Sequence, residues 1–337
     1  MKNMKYWTMN SAGRDKLSLQ TQTLTAPGPN EVRVRVNAVA LNYRDKLIIE
    51  GAMPAVFPLT PASDMAGVVE AVGDNVSQFT PGDRVISSFF PDWIEGKRPG
   101  SAGKPHGAAL GGSYPGMLAQ QIVVNENWLV ASPESLSDVE ASTLPCAGLT
   151  AWFALVEQGQ LKAGDSVLVQ GTGGVALFAL QIAKAQGATV YVTSSGEDKL
   201  DSAKALGADF GINRLQGDWV EQVLELSHHR GIDHVVDTVG GSNVARSVAV
   251  VAPGGRVSLI GVLEGTDIVV PGGLMLMKSA VIQGIGVGHR RALADLVHAV
   301  DATRIKPVID STWTLEQLPE ALARLDSGPF GKIVVTL

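Results

Sequence analysis

The chain has 337 residues, 45% hydrophobic and 18% charged, enough for about two domains with a core each. A net charge of −6 with no basic block argues against a nucleic-acid or anionic-membrane surface. The single cysteine rules out an intramolecular disulfide. The opening "MKNMKYWTMNSAGRDK" lacks a secretion signal's apolar core, so a soluble cytoplasmic protein is expected.

Along the chain two textures follow each other. From Thr25 to about Val130, short alternating runs ("EVRVRVNAVALN", "GVVEAVG", "DRVISSFF", "AQQIVV") are broken by Gly, Pro and Asn, which predicts an irregular, largely antiparallel β domain. Within it, "PDWIEGKRPGSAGKPHGAALGGSYPG" (91–116) carries seven glycines and four prolines and is either a mobile flap or an ordinary surface loop. From about Ala147, strands "SVLVQ", "TVYVTSS", "DFGIN", "IDHVVDTV", "RVSLIGV" and "AVIQGIGV" alternate with helical stretches, which predicts a doubly wound parallel sheet of Rossmann type. After about Gly286, a helix, "PVIDSTWTL", a second helix and the strand "GKIVVTL" read as a return to the first domain. The expected division is 1–146 with 285–337 as a catalytic domain and 147–284 as a dinucleotide-binding domain.

"SVLVQ" runs into Gly171, Thr172, Gly173, Gly174 and Val175, and the spacing Gly171-x-Gly173-x-x-Ala176 is the G-x-G-x-x-G/A form of a pyrophosphate-binding turn. The following helix start presents free N–H groups to phosphates. The acid that holds an NAD ribose about 20 residues on is missing, and Thr193, Ser194 and Ser195 stand there instead. Small hydroxyls leave room for a 2′-phosphate, which points to NADPH. Lys199 and Arg214 either add positive charge at that phosphate or are solvated surface charges. Glu197 and Asp198 are set aside because "SGED" reads as a helix start capped by Ser195. Val239, Gly240, Ile260, Gly261 and Val262 follow the fourth and fifth strands, where the nicotinamide half is expected.

In the order of "GVVEAVGDNVSQFTPGDRV", "LPCAGLTAWFAL", the glycine loop, "GGRVSLIGV" and "GKIVV", the chain resembles the medium-chain dehydrogenase/reductase superfamily over essentially its whole length. The resemblance implies a GroES-like catalytic domain built from both chain ends, a Rossmann domain between them and an active site in the cleft. Where alcohol dehydrogenases of that family bind zinc through Cys, His and Cys, this sequence has Asn42, Ser63 and Cys146. One thiol beside an amide and a hydroxyl is a poor zinc site, and the scattered histidines offer no replacement, so no metal is expected. Cys146 is either a packed thiol or a nucleophile without an evident base.

Without a Lewis acid, hydride transfer suits an electrophile that delocalises the added charge: a quinone, an α,β-unsaturated ketone or an enoyl thioester. "LNYRDKLIIEG" is similar to the matching segment of zinc-free quinone oxidoreductases and enoyl reductases. That likeness implies Asn42 beside the nicotinamide and substrate, and Thr150 beside the nicotinamide. Tyr43 is either the hydrogen-bond or proton donor or a packed aromatic, and Asp45 reads as a structural partner. Phe89, Phe90, Trp93 and Tyr114 either cover an apolar substrate or belong to the core. The expected function is zinc-independent, NADPH-dependent reduction of a small molecule. Its alternatives are an NAD(P)-dependent alcohol dehydrogenase and a non-catalytic NADPH-binding protein. The resemblance also implies a homodimer or higher homo-oligomer through the apolar edge "RVSLIGVLEGTDIVV".

Overall fold

A computed structural model of the chain describes residues 3–23, 26–104 and 107–337. Thr25, the predicted start of the β domain, and Pro105 and His106 of the glycine-rich loop lie outside the described residues. The chain divides into two compact units, 1–149 with 288–337, and 150–287.

The first unit opens with the antiparallel pair β1 (Asn3–Thr8) and β2 (Ser18–Thr23). In β3 (Glu31–Ala40) the alternation of "EVRVRVNAVA" turns Val32, Val34 and Val36 into the core and leaves Arg35 exposed, as a period of two requires. Helix α1 (Tyr43–Ile49), strands β4 (Asp64–Val72), β5 (Arg84–Ser87), β6 (Gln121–Asn125) and β7 (Leu129–Ala131), and the helical turn α2 (Asp138–Ala141) follow. The run "DRVISSFF" is strand only to Ser87. Beyond it Phe89 and Phe90 leave the ladder and pack edge to face at 4.7 Å, and the Arg44 guanidinium lies 4.8 Å from the Phe89 ring.

The short α3 (Leu149–Trp152) leads into β8 (Ser166–Gln170), α4 (Gly174–Ala185), β9 (Thr189–Ser194), α5 (Glu197–Ala205), β10 (Phe210–Asn213) and α6 (Trp219–Leu226). Then come β11 (Ile232–Asp237), α7 (Asn243–Val250), β12 (Val251–Leu259), α8 (Gly272–Lys278) and β13 (Val281–Gly284). These six strands form one parallel sheet in the order β10-β9-β8-β11-β12-β13. β8 is buried along its whole length, which is why it reads as an unbroken apolar run rather than an alternating one. "AVIQGIGV" is strand only over β13, because its partner β12 ends at Leu259, opposite Gly284. This edge carries exposed apolar side chains: Val269, Leu276, Met277 and Val281.

The chain then returns to the first unit through α9 (Arg290–Thr303), β14 (Ile309–Thr314), α10 (Leu318–Asp326) and β15 (Lys332–Thr336). β15 pairs antiparallel with β3, placing Lys332 at the end of β3 that precedes α1 in a seven-stranded sheet. That sheet is antiparallel apart from the β14–β15 pair. Among the described residues no helix is long and apolar enough to cross a membrane.

Candidate functional site

In the second unit the strand order reverses between β8 and β11, and the glycine loop leaves β8 at that switch point. Gly171 has φ +83°, a left-handed conformation that favours glycine, and its N–H donates to the Thr193 carbonyl at 2.8 Å, tying the loop to β9. Gly173 caps α4 in extended conformation with φ −79°, and a Cβ built on it would meet no protein atom within 4 Å. Neither backbone strain nor protein packing therefore demands glycine at 173. The open cradle above it fits a ligand that touches the backbone, and the first turn of α4 has no side-chain cap to compete for its N–H groups. Thr172 is buried, whereas Gly174 and Val175 stay partly exposed at the helix start.

Beneath this loop lies a buried polar network absent from the sequence reading. The Asp237 carboxylate, with no exposed surface, accepts from Val239 N and Gly240 N at 2.9 Å, Ser247 Oγ at 2.8 Å and Asn243 Nδ2 at 3.1 Å. Gln170 completes it, donating to Ser247 and accepting from Asn243, while Thr238 Oγ1 donates to the Gln170 carbonyl at 2.7 Å. The only signal in the sequence is a polar residue closing an apolar strand, at Gln170 and at Asp237. The network fixes the turn after β11 against the turn after β12, where Ile260 N and Gly261 N both donate to the Asp237 carbonyl. A Cβ on Gly261 would fall 1.7 Å from the Thr238 carbonyl oxygen. Val239, Gly240, Ile260 and Gly261 are thus brought together, and Val262 stands exposed just beyond them.

At the other side of the loop, Ser194 is buried at the end of β9, and its carbonyl accepts the Arg214 N–H at 2.9 Å. Ser195 and Arg214 are exposed, and Lys199 lies in the first turn of α5. The expected Ser195 cap is incorrect: Gly196 is the capping residue, without a side-chain bond. Asp198 folds back over it, within 2.6 Å of where a Gly196 Cβ would sit, and occupies the space of a cap. Glu197, an acid set aside in the sequence, accepts a 2.6 Å bond from Asn213, the residue before Arg214. Thr150, buried at 3% exposure, belongs to α3 at the start of the second unit.

The first unit gathers Asn42, Ser63 and Cys146 around two carboxylates and an ammonium. Asn42 caps α1 and is 7% exposed, with its N–H donating to Asp45 at 2.8 Å. Lys332, only 4% exposed, donates to the Leu41 carbonyl at 2.5 Å and to Asn42 Oδ1 at 2.6 Å. Asn42 Nδ2 faces Ser63 Oγ at 3.5 Å, Ser63 donates to Asp64 at 2.6 Å, and Asp64 accepts the Cys146 N–H at 3.0 Å. Tyr43 is 46% exposed, so the packed-aromatic alternative does not describe it; the Lys46 ammonium stands 5.7 Å from its ring centroid. Phe89, Phe90 and Trp93 are buried, and Tyr114 donates to Asp92 with its ring 4.8 Å from Trp128. These rings pack within the first unit rather than lie open.

Burial pushes the Cys146 thiol well above its ordinary range, and the Asp64 charge adds to that shift. Among the described residues no group of three or more His, Cys, Asp or Glu is placed to hold a metal. The Asn42 oxygen is occupied by Lys332, Ser63 is occupied by Asp64, and the resident ammonium repels a dication. These residues do not fit a catalytic zinc.

Burial raises the Asp64 carboxyl against the pull of Lys332, and raises Asp45 to about 6 against the pull of Arg44. The folded state therefore binds the Asp45 proton more tightly than the unfolded chain does, and this group's contribution to stability falls as pH rises from about 4 to about 6. Asp45→Asn should lose that slope. In urea denaturation it should gain about 2–3 kcal/mol on the wild type between pH 4 and pH 7. Parallel profiles for the two proteins would show that Asp45 does not titrate there.

Two family models match the chain: the alcohol dehydrogenase GroES-like domain over residues 28–134 and the zinc-binding dehydrogenase domain over 174–302. A crystal structure of a putative alcohol dehydrogenase from Sinorhizobium meliloti is 56% identical and superposes with a TM-score of 0.97, covering 100% of this chain and 99% of that one. A zinc-type alcohol dehydrogenase-like protein of Schizosaccharomyces pombe is 39% identical over 92% of this chain and 91% of its own length. Human quinone oxidoreductase is 28% identical over 96% of this chain and 95% of its own. With both units matched and likeness running from end to end, the chain belongs to the medium-chain dehydrogenase/reductase superfamily of oxidoreductases.

Proposed function

We propose that this protein is an NADPH-dependent reductase that acts without zinc on a quinone or an activated C=C bond. The observation that carries the reading is the Lys332 ammonium bonded to Asn42, where zinc enzymes of the family place a ligand. The likeness to a quinone oxidoreductase supports it, and the alcohol dehydrogenase names among the relatives set the competing reading. Among the described residues Asn42, Ser63 and Cys146 make a poor ligand set for a catalytic zinc, which weighs against that competing reading.

The cradle over Gly173 and the uncapped start of α4 fit a pyrophosphate, which backbone N–H groups of Thr172, Gly173, Gly174 and Val175 would hold. Val239, Gly240, Ile260, Gly261 and Val262 would border the nicotinamide, with Thr150 beside it. When bound, the dihydronicotinamide supplies a hydride. Hydride added to the β-carbon of an enone, or to a quinone, leaves an electron pair on the substrate oxygen. The chain's task is to hold that oxyanion and deliver a proton. By their chemistry, a carboxamide such as that of Asn42 can donate to an oxyanion, and an exposed phenol such as that of Tyr43 can give a proton that solvent replaces.

Ser194 and Ser195, with Arg214 and Lys199 near them, suit a 2′-phosphate better than a bare ribose. Ser194→Asp should shift the NADPH/NADH preference in kcat/KM toward NADH by at least about tenfold, since a carboxylate repels the phosphate and accepts from a ribose hydroxyl. An unchanged ratio would remove Ser194 from the phosphate site. Turnover against a panel of quinones and enones tests the substrate class.

The exposed Val269, Leu276, Met277 and Val281 at the β13 edge suit pairing with a second copy of the chain. Sedimentation velocity of the intact protein checks this, and a monomer at micromolar concentration would remove it.

A further inference from the structure

Beyond the end of β5 at Ser87, the chain folds around a small cavity of about 60 Å³ whose lining includes Phe90, Asp92, Trp93, Arg98, Pro99 and Ala108. All of these residues belong to the first unit. The surface that the cavity presents is almost entirely apolar.

Arg98 is the exception. Its guanidinium carbon lies 4.5 Å from the centre of the Phe90 ring and 5.8 Å from that of Trp93. Stacking of this kind uses the face of the guanidinium, whereas its N–H groups donate in the plane and are not satisfied by a ring. Among the described residues Arg98 has no hydrogen-bond acceptor and no ion pair, and its Nε–H is buried. Burial lowers the guanidinium pKa, and no carboxylate offsets that shift. Asp92 lines the same cavity, but its carboxylate accepts the Tyr114 hydroxyl at 2.8 Å and lends Arg98 no counter-charge.

A cationic planar fork beside apolar walls matches one kind of ligand. A carboxylate takes two parallel N–H bonds from an arginine, and a short hydrocarbon tail suits the rings. A tetrahedral oxyanion would instead turn bare oxygens toward those rings. By this measure of space a water takes about 10–15 Å³, so about 60 Å³ admits some four to six non-hydrogen atoms. That is the size of an acid of two to four carbons.

We propose that this cavity binds a short-chain monocarboxylate, with its oxygens on the Arg98 guanidinium and its alkyl tail against Phe90 and Trp93. The site stands apart from the reductase reading, since it needs neither nucleotide nor electrophile.

The test titrates the full chain with sodium propionate at constant ionic strength, and in parallel with neutral propionamide and with sodium sulfate. The readout is the ¹⁵N-labelled indole N–H of Trp93, assigned with Trp93→Phe. Propionate should move that resonance saturably, with a Kd of about 1 mM, as befits a small ligand held by one charged pair beside the Asp92 charge. Propionamide should bind at least about tenfold more weakly, because it forfeits the charge-assisted pair. Arg98→Met, which keeps most of the apolar stem, should weaken propionate at least about tenfold, and Arg98→Lys should fall between it and the wild type. Arg98→Gln serves where Arg98→Met does not fold, and the comparison of propionate with propionamide needs no variant.

No saturable shift up to about 50 mM propionate would overturn the site. So would equal affinity in the folded Arg98→Met or Arg98→Gln protein, or propionamide binding as tightly as propionate. Sulfate displacing propionate at equal or lower concentration would overturn the assignment to a carboxylate.

Discussion

A Gly173→Val protein should fold as the wild type does and bind NADPH at least about 100-fold more weakly. The two halves of this result have separate causes. Gly173 has an ordinary negative φ, and a side chain there meets no protein atom within 4 Å, so folding has no use for the glycine. A branched side chain at the first cap of α4 would nevertheless fill the space through which a pyrophosphate reaches the backbone N–H groups. Thermal denaturation without nucleotide should move by no more than about 2 °C, which corresponds to a few tenths of a kcal/mol to about one in a chain of this size. Titration of NADPH fluorescence should show the loss. Unchanged affinity would mean that the nucleotide does not approach the backbone at residue 173. A large fall in melting temperature would make the glycine structural after all.

Asp237→Ala should do the opposite, destabilising the second unit by about 3–5 kcal/mol before any ligand is considered. Four donors end on this one buried carboxylate: two backbone N–H groups of the turn after β11, Asn243 and Ser247. Asn243 and Ser247 keep Gln170 as a partner, but the Val239 and Gly240 N–H groups lose their side-chain acceptor. The turn they hold abuts the turn after β12 so closely that Gly261 admits no Cβ, and loosening one moves the other. Urea denaturation measures the loss, with the exposed Glu225→Ala as a control expected within about 0.5 kcal/mol of wild type. A loss below about 1 kcal/mol for Asp237→Ala would mean that water replaces the carboxylate at little cost.

Regular periods made much of the fold legible. "EVRVRVNAVA" shows its face by alternation, and "SVLVQ" shows burial on both faces by having no polar break before Gln170. The glycine loop was legible because strand, spacing and helix occur in one local run. Ser195 was misread because Ser195 and Gly196 are both acceptable caps by local preference, and the Asp198 side chain settles the choice from inside the helix. The aromatic residues around the 91–116 loop gave no periodic signal, and their burial depends on partners such as Arg44 that lie far away in sequence. Lys332 was hidden most completely. In "GKIVV" it is only the polar start of a strand, and its partner Asn42 is 290 residues away, brought close by the pairing of β15 with β3.

The central claim is tested most directly by following NADPH absorbance with protein stripped by a chelator, against a quinone and an α,β-unsaturated ketone, with the metal content of the same sample measured. Oxidation of NADPH by at least one electrophile, at a rate that neither the chelator nor added zinc changes, is the predicted result. Activity that disappears with the chelator and returns with zinc would contradict it, and would place a metal where the structure has the Lys332 ammonium.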